Sequence, residues 1–330
     1  MLIMNPRALL INSDKKFRGP MKPILNGGIG KSVIRKEDER YLRGRGEFVA
    51  DIKRFGMREV AFVRSPIAHG KNVRVTKPVG QENNVFDAKD LVGVSPIQAD
   101  SGLKGFKSSL QPIFASEKVR YVGELVAACV ANTRGEAEDL VNRVELEIEH
   151  LPVVSDMLEA KNNGSPLIHE HWSDNIFLET FVEADENLEA LKSQAAASVT
   201  RSFRTARQSM APIEGRGVVA EWDRRLELLT LTSSTQMPHI VRTGLANCLG
   251  LDEGKVRVIA PDVGGGFGYK GILLAEEVAL SWIAMQIDKP VCWIEDRREQ
   301  LSANTNCREH YYEITAYASS DGKLLAVECE

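Results

Sequence analysis

The segment Gly264-Gly265-Gly266-Phe267-Gly268 constrains this 330-residue chain more than any other. Before it, Val256-Arg257-Val258-Ile259-Ala260 reads as a buried strand. After it, Ile272 to Gln286 carries apolar residues at helical spacing with no proline. The glycines remove the Cβ atoms that would hold a partner away from the backbone. A strand, a glycine loop and a helix N-terminus in that order present unpaired amides, so an anionic group is the expected ligand.

Composition narrows the partners. The chain is 43% apolar and 27% charged, with a net charge of -4, which gives no electrostatic case for nucleic acid or an anionic membrane. It lacks the run of about 18 apolar residues that a membrane span needs. The N-terminus has an apolar patch, Leu9-Leu10-Ile11, but no small-residue cleavage site, so the expected location is cytoplasmic. Cys129, Cys248, Cys292, Cys307 and Cys329 are scattered and form neither CxxC nor a zinc spacing. They read as reduced thiols, most of them in a core, and not as ligands of an iron–sulfur cluster held by this chain alone.

Residues 1–37 read as an extension of low organisation. It ends in Gly27-Gly28-Ile29-Gly30-Lys31-Ser32, but Leu25 stands where a phosphate loop needs its first glycine. Strands are expected at Arg58–Arg64 and Val119–Val130, the second interrupted by Gly123. A helix follows over Gly135–Arg143, then the alternating strand Val144-Glu145-Leu146-Glu147-Ile148-Glu149. Leu151-Pro152 ends this α+β unit. Further on, Leu226–Thr232 reads as a strand and Pro238–Leu249 as a helix with Gly250 at its C′ position. Pro290–Ile294 is another strand. Tyr311–Ala318 and Lys323–Cys329 form a hairpin whose outer edge is expected to be paired by more protein.

One loop supports two readings. Gly266, Gly268 and Gly271 satisfy G-x-G-x-x-G, and the strand Pro290–Ile294 ends at Glu295 and Asp296, near where an acidic residue meets a ribose hydroxyl. That is the fingerprint of an NAD- or FAD-binding dehydrogenase. Against it, the motif lies late in the chain, and Phe267 is not part of the pattern.

The stretch Asp262-Val263-Gly264-Gly265-Gly266-Phe267-Gly268-Tyr269-Lys270 resembles the DVGGGFGxK signature of the molybdenum hydroxylases. That family includes xanthine dehydrogenase, aldehyde oxidase and the large subunit of aerobic carbon monoxide dehydrogenase. Tyr41-Leu42-Arg43-Gly44-Arg45-Gly46 with Ala50-Asp51-Ile52 is similar to the family's opening segment. Arg64-Ser65-Pro66-Ile67-Ala68-His69 and Lys118-Val119-Arg120-Tyr121-Val122-Gly123-Glu124 resemble its a/b hammerhead domain. Ser233-Ser234-Thr235-Gln236-Met237-Pro238-His239 resembles its STQ segment, and Trp293-Ile294-Glu295-Asp296-Arg297 with Glu299 a later block.

The resemblance implies an α+β chain: an extension (1–37), an a/b hammerhead domain (38–154), and the first, incomplete part of a molybdopterin-binding domain (160–330). It implies a molybdenum–molybdopterin cofactor in the cytosine dinucleotide form. Gly265, Gly266, Phe267 and Gly268 would lie against that cofactor, and Gln236 would hydrogen-bond an oxo ligand of the metal without ligating the metal itself. The family's base is a glutamate far toward the C-terminus of a chain more than twice this length, so no catalytic residue is expected here. Implied partners are the remainder of the large subunit, a small subunit with 2Fe-2S clusters and a medium subunit with FAD. Implied substrates are an aldehyde, an N-heteroaromatic ring or carbon monoxide. A non-catalytic scaffold that keeps the fold is a third reading.

Some positions depart from the family or compete for a role. Gly271 stands where purine-oxidising members carry a glutamate. Asn306 replaces a frequent histidine near Arg308. Glu214 and Arg216 resemble an E-P-R turn with Gly215 for proline, and read as a buried ion pair. Of Glu276 and Glu277, adjacent on a helix, at least one is expected to face solvent. His169 and His171 read as loop residues despite their spacing. His239 is expected to cap or pack. No Ser/His/Asp set with a nucleophile elbow occurs.

Overall fold

A computed structural model describes residue 30 and residues 32–181 and 187–330. Most of the 1–37 extension, including Gly27, Gly28, Ile29 and Lys31, therefore lies outside the described residues. The chain up to Gly46 and Glu47–Glu330 form separate units, and the described part of the first holds a short helix, Asp38–Leu42.

The larger unit is built on one seven-stranded sheet. Its strands are β1 (Arg58–Arg64), β2 (Val85–Asp87), β3 (Leu125–Ala131), β4 (Gly217–Asp223), β5 (Leu228–Ser233), β6 (Val256–Ile259) and β7 (Val291–Ile294). Their order across the sheet is β6-β5-β4-β7-β1-β3-β2. The strands before Leu151-Pro152 and those after it thus share one sheet. They meet where β1 and β7 run parallel, with Arg58 opposite Val291 and Glu59 opposite Cys292. The other parallel pair is β5 with β6, in register from Leu229/Val256 to Thr232/Ile259.

The sequence of β3, LVAACVA, suits a strand paired on both edges, by β1 and β2. It has no polar side chain, and it is covered on both faces. Leu125 and Val130 join a core with α2 (Pro238–Leu249) and α3 (Ala275–Ile287), while Val126 and Cys129 join a second core with Val75, Leu146 and Ile148. Those three come from a small sheet of Gly70–Thr76, Lys118–Val119 and Glu145–His150. The helix α1 (Arg134–Val141) starts with a capping box between Thr133 and Glu136. In α3 every residue from Ala275 to Ala284 is buried. Phe62–Trp293 and Phe86–Trp282 ring contacts, at 5.4 and 5.7 Å, tie that core to the sheet. Each large apolar side chain buried there contributes roughly 1.5–3 kcal/mol.

Several expectations hold: β1, α2 with a left-handed Gly250, and the hairpin of His310–Ala318 with Leu324–Cys329. The third strand of that last sheet, Ala197–Thr205, was not expected from the sequence: it is exposed along its whole length, and Arg201 breaks the short alternation of Ala197, Val199 and Phe203. Val119–Val130 is not one strand. Lys118–Val119 and Leu125–Ala131 belong to different sheets, and the chain turns between them at Gly123, whose φ is 89°. A Cβ on Gly123 would lie 2.4 Å from the Cβ of Ala303. The glycine lets the turn touch the end of α4 (Arg297–Ser302). Gly123→Ala is expected to destabilise the protein by roughly 2–4 kcal/mol through left-handed strain and overpacking. Chemical denaturation checks this, and an unchanged midpoint would contradict it.

Candidate functional site

Because β5 and β6 are parallel, the loops that leave their C-terminal ends emerge at the same end of the sheet. The loop after β5 carries Ser234 to Gln236, and the loop after β6 carries Gly264 to Lys270. They are bound to each other. The Gln236 amide and the Thr235 hydroxyl donate to the Lys270 carbonyl at 2.8 and 3.1 Å. The Gly268 amide donates to Gln236 Oε1 at 3.0 Å. A Cβ on Gly266 would stand 2.5 Å from that same oxygen, so only glycine admits the Gln236 side chain here.

The exposed face of this junction is a set of donors. Among the described residues, the amides of Gly265, Gly266 and Phe267 have no hydrogen-bond partner, and neither does the Nε2 group of Gln236. With its oxygen engaged by Gly268, Gln236 presents its two amide hydrogens outward. The Phe267 ring is 70% exposed, on a residue with φ of 53°. Three successive free amides beside a neutral amide suit an oxygen-rich, anionic or oxo-bearing group. The loop forms an open wall; a cavity of about 640 Å³, lined by Arg58, Phe86 and Lys289 among others, lies elsewhere.

Behind the wall, charges are buried and paired. Lys270, 2% exposed, places Nζ 2.9 Å from Glu214 Oε2. Burial pushes its pKa down, and Glu214 opposes the shift. The Tyr269 hydroxyl donates to Glu295 Oε2 at 2.9 Å and receives a bond from Gln300 Nε2 at 3.2 Å. Burial raises the tyrosine's pKa. Arg216 donates from Nε to Glu295 Oε1 at 2.8 Å. Its Nη2 lies 2.9 Å from Glu276 Oε1, an electrostatic contact without hydrogen-bond alignment. Arg64 of β1 also reaches Glu276, at 3.1 Å. Burial opposes the charge of Glu276, but Arg216 and Arg64 outweigh it and hold its pKa below the ordinary value.

Four expectations are corrected. Glu276 and Glu277 are both buried, at 4% and 3% exposure: α3 is enclosed on all sides, so adjacent positions meet different buried partners instead of solvent. Glu214 and Arg216 are each ion-paired, but with Lys270 and with Glu295 and Glu276, not with one another. His239 is exposed on the first turn of α2, and that helix has no side-chain cap. The helix after the glycine loop begins at Ala275, not Ile272, and its N-terminus is closed by its own Glu277, which accepts from the Leu274 amide at 3.0 Å.

The last point removes the dinucleotide reading. The helix N-terminus that follows the glycines is buried within the fold. In addition β6 and β7 are separated by β5 and β4, whereas the βαβ unit of a dinucleotide fold pairs its strands. Glu295, offered as the ribose ligand, is buried against Arg216 and Tyr269. His169 and His171 lie in a turn, their rings 5.8 Å apart, and among the described residues no cluster of metal-ligating side chains occurs. No helix of the described residues is long and apolar enough to cross a membrane. Lys270, Tyr269 and Gln300 were missed in the sequence. The available signal was a lysine and a tyrosine inside an otherwise apolar and glycine-rich stretch.

Two family models match this chain. Residues 43–152 match the family model described as aldehyde oxidase and xanthine dehydrogenase, a/b hammerhead domain. Residues 168–330 match the molybdopterin cofactor-binding domain. The nicotine 6-hydroxylase large subunit of Paenarthrobacter nicotinovorans is 36% identical over 92% of this chain and 38% of its own length. The carbon monoxide dehydrogenase large chain of Hydrogenophaga pseudoflava is 31% identical over 91% of this chain and 39% of its own. The crystal structure of quinoline 2-oxidoreductase from Pseudomonas putida 86 superposes with a TM-score of 0.84 at 35% identity, covering 91% of this chain and 38% of that one. The chain spans about two fifths of the length of these relatives.

Glu277 gives this network a pH signature. Burial pushes its pKa up to about 7 from the ordinary 4.5, against the bonds from Ser233 and Leu274. Below 4.5 the folded and unfolded chains both hold the proton, and nothing is lost. Between 4.5 and 7 only the unfolded chain releases it, so stability falls as pH rises; above 7 the loss is complete. Glu277→Gln keeps an acceptor for the Ser233 hydroxyl and lacks this titration. Relative to that variant, the native protein is expected to lose ~3 kcal/mol across the window. Parallel pH dependences of the two melting curves would contradict this.

Proposed function

We propose that this chain, which belongs to the molybdenum hydroxylase large-subunit family, supplies one wall of the cofactor site in an enzyme that oxidises a small molecule with water-derived oxygen. The carrying observation is the row of free amides at Gly265, Gly266 and Phe267 beside the outward Nε2 of Gln236. When bound, a molybdenum–molybdopterin cofactor, in the cytosine dinucleotide form, supplies the redox chemistry. The residues present fit it. The loop amides and Gln236 donate to oxygen atoms without adding charge, and Gly268 completes the loop. Gln236 is fixed on both sides, by the Lys270 carbonyl at its backbone and the Gly268 amide at its side chain. Such a preorganised donor pays no reorganisation cost when charge develops on its acceptor.

No group of this chain is assigned as the catalytic base. The carboxylates nearest the loop, half-buried Glu214 and buried Glu276, Glu277 and Glu295, are all committed to neighbouring donors. The base and the opposite wall come from the remainder of the large subunit. Electrons leave through an iron–sulfur small subunit and a FAD-binding medium subunit. Substrate candidates are an N-heteroaromatic ring, an aldehyde or carbon monoxide. The names of the relatives favour the heteroaromatic class or carbon monoxide. Gly271 offers no carboxylate to read a purine, and a Cβ there would already stand 3.0 Å from the Gly268 carbonyl oxygen.

Metal and pterin analysis of the protein purified with its partner subunits tests this reading. Molybdenum and a pterin are expected at about one per chain; bound NAD with no molybdenum would overturn it. Gly266→Ala is a sharper probe, because its methyl group pushes on the flexible Gln236 side chain and not on backbone. It is expected to fold normally and to lower turnover about tenfold or more, as for loss of one preorganised donor. Native turnover in this variant would show that the Gln236 position is unimportant.

A further inference from the structure

One carboxylate oxygen closes the glycine loop end to end. Glu214 Oε2 accepts from the Gly264 amide at 2.7 Å and from Lys270 Nζ at 2.9 Å, the first and last residues of the loop. The Glu214 amide returns a bond to the Gly264 carbonyl at 3.2 Å. A Cβ on Gly264 would stand 2.6 Å from Glu214 Cβ, so the approach is as near as glycine allows. From Lys270 the connection runs on, because its carbonyl receives the Gln236 amide and the Thr235 hydroxyl. The free amides of Gly265, Gly266 and Phe267 lie between the two clamped ends.

We propose that Glu214 is a positioning residue that sets both the curvature of the loop and the place of Gln236, and so aims the donor row at its ligand. Its charge is required. Lys270 is buried, and a neutral residue at 214 leaves that ammonium without its counter-charge. The proposal rests on the functional reading above for the identity of the ligand, but the clamp itself is a property of the loop.

Two measurements on Glu214→Gln separate these levels. Hydrogen exchange, read on peptides spanning 260–271, is expected to speed up about tenfold in the loop, as for loss of one hydrogen bond, while α2 and β3 stay protected. Exchange unchanged in the loop overturns the clamp. In the complex with its partner subunits, the variant is expected to show an altered Mo(V) resonance signal. Lys270→Met serves as the second variant, since it leaves the Gly264 bond in place, and it should loosen the Tyr269 end alone. A native Mo(V) signal in both variants overturns the positioning role. A native complex without molybdenum overturns the functional reading instead, and the exchange measurement still decides the clamp.

Discussion

A buried guanidinium cannot be left alone, and Arg216 governs much of this structure for that reason. Stripped of water, it costs several kcal/mol unless carboxylates surround it. Glu295 at the end of β7 and Glu276 on α3 do so, and Glu276 in turn holds Arg64 on β1. Sheet, helix and both halves of the chain therefore converge on one group of charges. The tyrosine of the glycine loop joins the same group through Glu295. Removing one partner from such a set costs about 3–5 kcal/mol, because the others are left uncompensated. Carboxylates in this region resemble catalytic groups by their burial, but each already has a structural task.

The candidate site is a consequence of strand direction. Two parallel neighbours deliver two loops to one end of the sheet, and the glycines allow those loops to touch. What faces outward is mainly backbone: amides that no other residue uses, and one side-chain amide aligned with them. Such a surface selects oxygen atoms by geometry more than by charge.

Much of this was legible from the residues. The periodicity of Arg58–Arg64, Pro238–Leu249 and the terminal hairpin is strong, and the structure follows it. The glycine loop is marked by its own residues as an anion site, whereas Gln236 is singled out only through the family resemblance. The illegible parts are those decided by distant contacts. Ala197–Thr205 pairs along its whole length with His310–Ala318, yet it is exposed throughout, and Arg201 interrupts its apolar positions. Gly123 looked like a flaw in one strand, but it is the hinge between two sheets. Glu276 and Glu277 followed the rule for a surface helix, while α3 has no surface over most of its length. Glu214 and Lys270 are far apart in sequence, and nothing local marks them as partners.

The insertion of β7 has a bearing on how the protein is made. This strand enters the sheet between β4 and β1, although β1 leaves the ribosome far earlier. Until Val291–Ile294 has been synthesised, β1 is a sheet edge with open backbone groups on one side. A long-range parallel pairing is slow to form, and an uncovered sheet edge is a general template for chain-to-chain association. Only two residue pairs then complete the seam. In the finished sheet the late strand covers that edge, so it protects β1 as well as completing the fold.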